Sequence, residues 1–436
     1  MVETVLKKLS EDQVKYVELW FVDILGQLKT FTVPAEEVEK VFAEGIGFDG
    51  SSIEGFARIY ESDLIARPDP QTYQILPLLE EKTARFFCNI YLPEGQPYDG
   101  DTRYILRRYL EKIEQEGYTF NIGPELEYFY FRSPENPEII DNGGYFDFIP
   151  QDLGSQLRQK TMKLCEAMGT KVEAGHHEVS PSQHEIDLRY DEALKMADKL
   201  ITLKVLVKQV AARAGYYATF MPKPLYGLNG SGLHIHQSLF QGDKNAFYNE
   251  SDPNFLSPVA KSYVGGLLKH IREITSICNQ WVNSYKRLVP GYEAPVYVSW
   301  GRKNRSALIR IPIYKPGKEK ASRIELRSPD PACNPYLAFT VILAAGFDGI
   351  KKNLPLPPAV EEDIYRMEAK ERKRKKIQLL PGSLIEAIME TEKSELVCQA
   401  LGEHVFTKFI ENKKIEWDMY RTQVTSWEMK EYLPVL

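Results

Sequence analysis

The nine residues Pro93–Asp101 hold two prolines and two glycines. Neither a helix nor a central strand runs through such a stretch, because proline lacks the amide donor and glycine costs backbone entropy. The stretch therefore reads as a linker, and a domain boundary is expected near residue 100. On the N-terminal side the apolar residues form short β-branched and aromatic runs. Tyr16–Asp23 and Leu28–Val33 flank Gly26 and are expected to form a hairpin, and Ala84–Leu92 a further strand. Past the boundary, Asp101 is the expected N-cap of a helix carrying Ile105, Leu106, Tyr109, Leu110 and Ile113. Helices are expected at Gln156–Met168, Asp191–Ala214, Asn334–Gly346 and 384–414. Strands are expected at Asn121–Phe131, His234–Leu239, Val296–Ser299, Ala307–Ile313 and Arg323–Leu326. The 436 residues exceed one ordinary domain of about 150. Two domains are expected, residues 1–100 and 101–436, with no internal repeat.

Several function classes drop out. With 43% hydrophobic and 27% charged residues, the chain can bury a large core, which excludes a disordered or collagen-like polymer. The net charge of −6 argues against coating nucleic acid. The longest mainly apolar run, Leu337–Phe347, is about half of the ~20 residues a bilayer span needs. The N-terminus shows no secretory pattern. Five scattered cysteines without a CxxC suit a reducing compartment, so a cytoplasmic location is expected. The basic run Lys370–Lys376 reads as a solvated helix face or loop.

Four motifs carry chemistry. In Gly123-Pro124-Glu125-Leu126-Glu127, residues two apart on a strand share a face, so Glu125 and Glu127 present two carboxylates together. Such a pair is either solvated or separated by a cation, for which a hard divalent metal is the natural candidate. Residues Gly175–Glu185 (GHHEVSPSQHE) concentrate acids and imidazoles around Pro181, which excludes the HExxH zinc helix. His176, His177 and His184 can each be read as partly buried hydrogen-bonding side chains. In Asn229–His236 (NGSGLHIH), two glycines open the backbone to a ligand and His234 and His236 share a strand face; no Walker A pattern is present. Finally Arg287, Arg305 and Arg310 precede the alternating run Arg323-Ile324-Glu325-Leu326-Arg327. Its charged face is either an ion-pair ladder or a clamp for phosphate and carboxylate. Many carboxylates, few thiols and several guanidiniums indicate a Mg²⁺- or Mn²⁺-dependent enzyme acting on a phosphorylated or anionic substrate.

These segments, with Phe48–Ser52 (FDGSS), Phe220–His236, Asn283–Pro295 (NSYKRLVPGYEAP), Asn304–Ile309 (NRSALI) and Arg323–Pro335, resemble type I glutamine synthetases over almost the whole chain. The resemblance implies an α+β architecture. A small β-grasp-like N-terminal domain joins a large catalytic domain, whose curled antiparallel sheet forms a funnel-shaped site flanked by helices. It implies ligation of ammonia to L-glutamate with ATP as substrate, through γ-glutamyl phosphate and with two divalent metals, Mg²⁺ or Mn²⁺, per site. It also implies a homododecamer of two hexameric rings with intersubunit active sites, and neither membrane nor direct nucleic-acid partners.

By the same resemblance, Glu127, Glu178 and Glu185 match the ligands of one metal, and Glu125, His234 and Glu325 those of the second. Asn229, Gly230, Arg287, Glu293, Arg305 and Arg327 match glutamate-pocket positions. Glu173, Tyr190, His236, Ser238, Arg305, Arg310, Lys320 and Arg323 match ATP-contact positions, although the loop Ile313–Lys320 is longer than in many relatives. Asp49 matches the ammonium-binding aspartate, Glu293 the flap residue, and Arg305 also the catalytic set.

Where the adenylylated subclass carries Asn-Leu-Tyr-Asp-Leu-Pro, this chain reads Lys352-Asn353-Leu354-Pro355-Leu356-Pro357 and has no hydroxyl to modify. Gly55–Asp63 resembles the α subclass, in which the residue matching Arg58 serves feedback inhibition by glutamine; a plain salt bridge is the alternative for Arg58. Two other functions stay open on the residues: a γ-glutamyl ligase for another amine, and a non-catalytic binding relative.

Overall fold

In the computed structural model, β1 (Tyr16–Val22) and β2 (Leu28–Pro34) form the expected hairpin, with Tyr16 opposite Pro34 and Val22 opposite Leu28. The residues described are 1–53, 63–148, 153–304, 306–314 and 316–436. Gly26 turns the hairpin at φ +78°, and a Cβ there would lie 3.0 Å from the Asn334 backbone, so the turn needs glycine on both counts. The close approach is a fastening. Asn334 Nδ2 donates to the Asp23 carbonyl at 2.9 Å and Gln280 Nε2 to the Leu25 carbonyl at 2.8 Å.

The first region continues through β3 (Ile46–Asp49), β4 (Asp63–Pro68), β5 (Gln74–Leu76) and β6 (Thr83–Tyr91), with helices α1 (Val2–Glu11) and α2 (Val38–Glu44). Its sheet runs β2-β1-β6-β4-β3, with β5 also on β6; β1 and β6 are parallel. Val17, Leu19 and Phe21 of β1 point into the small core, while Trp20 and Val22 point into the large one. Burial on both faces is why this strand is an almost unbroken apolar run.

Asp101 caps α3 (Thr102–Gln115) as expected, accepting from the Arg103 amide at 2.9 Å. The remaining strands are β7 (Thr119–Phe131), β8 (Val172–His177), β9 (Gln183–Leu188), β10 (Asp191–Glu192), β11 (Tyr217–Thr219), β12 (Leu233–Gln241), β13 (Lys244–Asn245), β14 (Tyr297–Gly301), β15 (Ala307–Arg310) and β16 (Ile324–Leu326). They form one curled sheet of order β14-β15-β16-β12-β7-β9-β8. β10 and β11 pair with β7, and β13 with β12. The helices α4 (Leu153–Ala167), α5 (Ala193–Arg213), α6 (Pro258–Cys278), α7 (Ser284–Arg287) and α8 (Pro335–Lys351) flank it. α8, apolar nearly all round, is buried along most of its length and packs on α6.

Two expectations change in detail. β15 stops at Arg310, short of Ile313. The helical region 384–414 is three helices, α10 (Leu384–Glu392), α11 (Glu395–Leu401) and α12 (Glu403–Arg421), preceded by α9 (Ala369–Arg374) and followed by α13 (Ser426–Tyr432). Ser394 accepts from the Val397 amide at 3.2 Å and starts α11, while Gly402 at φ +83° ends it. The basic run falls on α9 and the residues just after it, and α9 buries no residue. Among the described residues no helix is long and apolar enough to cross a membrane.

Candidate active site

The alternation of strand side chains brings the charged motifs onto one face of the large sheet. Glu125 and Glu127 lie on β7, His234, His236 and Ser238 on β12, Gln183, Glu185 and Asp187 on β9, and Glu325 on β16. The register then sets the neighbours. His234 is opposite Glu125, His236 opposite Glu325, Glu127 opposite Glu185, Glu125 opposite Asp187, and Arg310 opposite Glu325. Directly opposed residues hold their Cβ atoms about 4.5–5.5 Å apart. Motifs up to two hundred residues apart in sequence thus become a row of adjacent side chains.

Glu125 faces both imidazoles, His234 Nδ1 at 2.9 Å and His236 Nε2 at 2.6 Å. Burial alone would raise its pKa, but these two bonds outweigh burial and hold the group well below the usual carboxylate range. Glu127 accepts from Gln183 Nε2 at 2.9 Å and from the Gly232 amide at 2.8 Å, and burial pushes its pKa up to about 7. A Cβ at Gly232 would lie 2.6 Å from Arg287 Nη2 and 3.2 Å from Glu127 Oε1, so glycine is what lets this amide approach. Burial, then the charge of Glu127, pushes Glu178 up to about 8 and Glu185 well above its ordinary value.

These carboxylates resist ionising together, which is the expected behaviour of ligands lacking their cation. A second observation agrees. His234 Nδ1 lies 2.9 Å from Glu125 Oε2, while its Nε2 faces Glu127 Oε1 at 3.7 Å. That gap is too long for a hydrogen bond and is a spacing two ligands of one cation can hold. Among the described residues four donor sets have their ligand atoms within 4.8 Å of one another: Glu125, His234 and Glu325; Glu127, Glu185 and His234; His176, Glu178 and Glu185; and, apart from these acids, Asp141, His177 and His184. Oxygen donors with one or two imidazoles and no thiol fit a hard divalent metal. His176 stands between Glu178 and Glu185, at 3.4 and 3.1 Å.

The acids open into a cavity of about 850 Å³, also lined by Asn229, Gly230, Arg287, Glu293, Arg310 and Arg327. Arg287 is buried and donates to the carbonyls of Ser328 at 2.7 Å and Arg327 at 3.1 Å. Glu325 pairs with Arg310 and, at 3.1 Å, with Arg327. Arg323 leaves this ladder and donates from Nε to His236 Nδ1 at 3.1 Å. A second cavity of about 480 Å³ is lined by Glu173, Tyr190, His236, Ser238, Lys320 and Arg323.

Asp49 is not brought to either cavity of the chain. It ends β3, exposed, accepting from the Ser51 amide at 2.9 Å and hydroxyl at 2.6 Å. Arg58 and Arg305 lie outside the described residues.

Sequence reasoning passed over four contributors. Gln183 ties Glu127 to the Gly230 carbonyl at 3.1 Å. Asp141 braces the strand pair from the side away from the ligands. Its Oδ1 accepts from the Ser182 amide at 2.9 Å and lies 2.8 Å from Nε2 of His177, which pairs in register with His184. These two histidines immediately precede Glu178 and Glu185. Lys223 Nζ lies 3.7 Å from the centroid of the Tyr292 ring. Asp187 is two residues past Glu185, so the same parity that singled out Glu125 and Glu127 would have found it. Gln183, two residues before Glu185, answers to the same parity. For Asp141 and Lys223 no such signal exists, because the partners named here are distant in sequence.

The family descriptions "Glutamine synthetase, beta-Grasp domain" and "Glutamine synthetase, catalytic domain" match residues 13–93 and 99–432. The chain is 50% identical over 439 residues to glutamine synthetase of Mycolicibacterium smegmatis, covering 99% of this chain and 98% of the relative. It is also 50% identical over 438 residues to that of Thermotoga maritima, covering 99% of each. Among solved structures, a GmaS/ADP complex superposes with a TM-score of 0.89 at 30% identity, covering 99% of both chains. A cryo-EM structure of Plasmodium falciparum glutamine synthetase gives 0.89 at 27% identity, covering 99% of this chain and 98% of that one.

Proposed function

The chain belongs to the glutamine synthetase family and is an enzyme, and on that premise we propose that it joins ammonia to L-glutamate with ATP by way of γ-glutamyl phosphate. The observation that carries this reading is the set of crowded, proton-retaining carboxylates at the meeting of two cavities, one rich in arginine and amide groups.

A carboxylate is a poor electrophile, since its charge repels a nucleophile and it has no leaving group. Phosphorylation supplies the leaving group. Asn229, Gly230, Arg287 and Arg327 hold glutamate in the larger cavity, and Arg305 is assigned to the same role by the family resemblance. Glu173, Tyr190, His236, Ser238, Lys320, Arg323 and Arg310 orient ATP from the smaller one, and the guanidiniums of Arg305 and Arg310 meet the charge that develops on the phosphoryl group. Bound Mg²⁺ or Mn²⁺, one held by Glu125, His234 and Glu325 and the other by Glu127, Glu178 and Glu185, supplies Lewis-acid neutralisation of that charge.

Ammonium has no lone pair. Asp49, reaching the site from a neighbouring subunit, attracts the cation and takes its proton. Glu293 closes over the acyl phosphate and keeps water away. In this reading residues 1–100 complete the catalytic unit 101–436 of the next subunit, in a dodecamer of two hexameric rings. The free state of all five cysteines supports a cytoplasmic site of action. Pro355, in place of a modifiable tyrosine, supports the absence of adenylylation, and the sequence Gly55–Asp63 supports the α subclass, with Arg58 serving feedback inhibition by glutamine.

The test is incubation with glutamate, ATP and either metal, with and without ammonium, measuring glutamine and phosphate together. Equal amounts are expected with ammonium. No glutamine under either metal overturns the proposal, and a preference for methylamine over ammonium in an amine panel replaces it with a related ligase.

A further inference from the structure

Of the residues lining the two cavities, two belong to both walls: Glu125 and Asp187. They face one another across the β7–β9 register, so their side chains are neighbours on the site face of the sheet. Asp187 therefore stands where the two cavities meet. The carboxylates beside it are furnished with donors: Glu125 has two imidazoles, Glu127 an amide and a side-chain amide, and Glu325 two guanidiniums. The Asp187 carboxyl shares a side-chain hydrogen bond with Glu185, but its Oδ1 is buried and has no hydrogen-bond partner among the described residues. A buried oxygen left without a donor is costly, so one must arrive with a ligand.

Phosphate oxygens cannot be that donor, because they are themselves anionic acceptors. A cation or a water attached to one can be. Asp187 is absent from every donor set whose atoms lie within 4.8 Å of one another. It is therefore outside these sets, and a metal-bound water is the donor that its free oxygen can take.

We propose that Asp187 is a positioning residue for the nucleotide-side metal, accepting a hydrogen bond from a water on the cation held by Glu125, His234 and Glu325. This rests on the two-metal reading of the site. Its carboxylate keeps that cation oriented while the ATP phosphates displace other waters. The position requires negative charge and a short side chain. An Asp187→Asn change keeps the size without the charge, and Asp187→Glu reaches past the water.

The test measures Mn²⁺ binding to the full-length, nucleotide-free protein by the free-ion electron paramagnetic resonance signal. Wild type is compared with Asp187→Asn and Asp187→Ala, alongside KM values and melting temperatures. Groups that orient a metal shell cost about 10- to 100-fold in affinity when replaced. The expected result is a loss of roughly tenfold or more in one of two Mn²⁺ sites. KM for metal–ATP should rise while KM for glutamate stays within about twofold. Asp187→Asn, nearly isosteric, keeps the test decisive if the alanine variant is unstable. Unchanged Mn²⁺ binding in folded Asp187→Asn, or equal rises in both KM values, overturns the inference while leaving the enzyme reading intact. A wild-type protein that binds no Mn²⁺ and makes no glutamine overturns both.

Discussion

Asn229 Nδ2 donates to Glu293 Oε2 across 3.1 Å, joining the glycine-rich loop before β12 to the loop that follows α7. Glu293 holds φ +60°, a conformation that side-chain-bearing residues rarely adopt. This loop, the proposed lid, is pinned on both sides of it. Tyr365 donates to the Ala294 carbonyl at 2.6 Å, and the Lys223 ammonium sits over the Tyr292 ring. A cation–π contact of this kind is worth about 0.5–2 kcal/mol. Replacing Lys223 with methionine should open the lid roughly 2- to 30-fold more often. The expected outcome is excess phosphate over glutamine, from hydrolysis of the acyl phosphate, in a coupled assay of both products. One-to-one products in the variant would show that Lys223 does not hold the lid.

Protons and metal compete for the same carboxylates. Glu127 and Glu178 have pKa values of about 7 and 8 in the folded chain, against an ordinary 4.5. Between pH 4.5 and 8 the metal-free folded protein therefore binds more protons than the unfolded chain. This contribution to stability is complete below that window and disappears as the pH rises through it. In chelator, melting temperature should be lower at pH 8.5 than at pH 6.5. Mg²⁺ or Mn²⁺ should raise it most at the higher pH and release protons on binding at pH 7. Scanning fluorimetry and a weakly buffered proton-release titration check this; a metal-free melting temperature that climbs with pH contradicts it.

Arg103 ties the two regions together inside the protein. Its Nε and Nη2 lie 3.0 Å from the carboxylate oxygens of Asp198, Nη1 donates to Asn89 at 2.8 Å, and Nη2 also meets Asp69 at 2.9 Å. Asp198→Ala leaves the buried guanidinium with Asp69 as its remaining carboxylate partner and should cost about 3–5 kcal/mol in urea unfolding. Replacing Arg103 with methionine and Asp198 with leucine together should cost less than Asp198→Ala alone, since the buried guanidinium goes with its buried partner and the charge left behind, Asp69, is partly exposed.

Asp49 and Glu325 test the shared site. Asp49→Ala and Glu325→Ala proteins should each be inactive. Dissociated and reassembled together, they should regain a fraction of wild-type activity, because some interfaces receive both intact residues. Mixed particles that remain inactive would refute the neighbour's contribution of Asp49.

Much of this was written locally. The hairpin around Gly26, the cap at Asp101 and the all-round apolar α8 follow from residue type and spacing over a few positions. So does the pairing of Glu125 with Glu127 on one face, since alternation along a strand depends on nothing outside it. The open choice at Arg323–Arg327 was different in kind. Glu325 takes Arg310 and Arg327 as partners while Arg323 turns to His236, and no spacing distinguishes those arrangements. The single helical stretch expected over 384–414 likewise broke where Ser394 and Gly402 supplied caps, a local signal overlooked beside a strong periodicity.

Side-chain parity, turn chemistry and the run of strands and helices are short-range properties, and the amino-acid order was sufficient for them. Which strand lies beside which, and in what register, depends on contacts between residues far apart along the chain. Only folding set Asp187 against Glu125, turned Nε2 of His234 toward Glu127, and left Asp49 off the walls of the two cavities. Cross-strand neighbours are fixed by packing the whole sheet at once, and no local pattern encodes that.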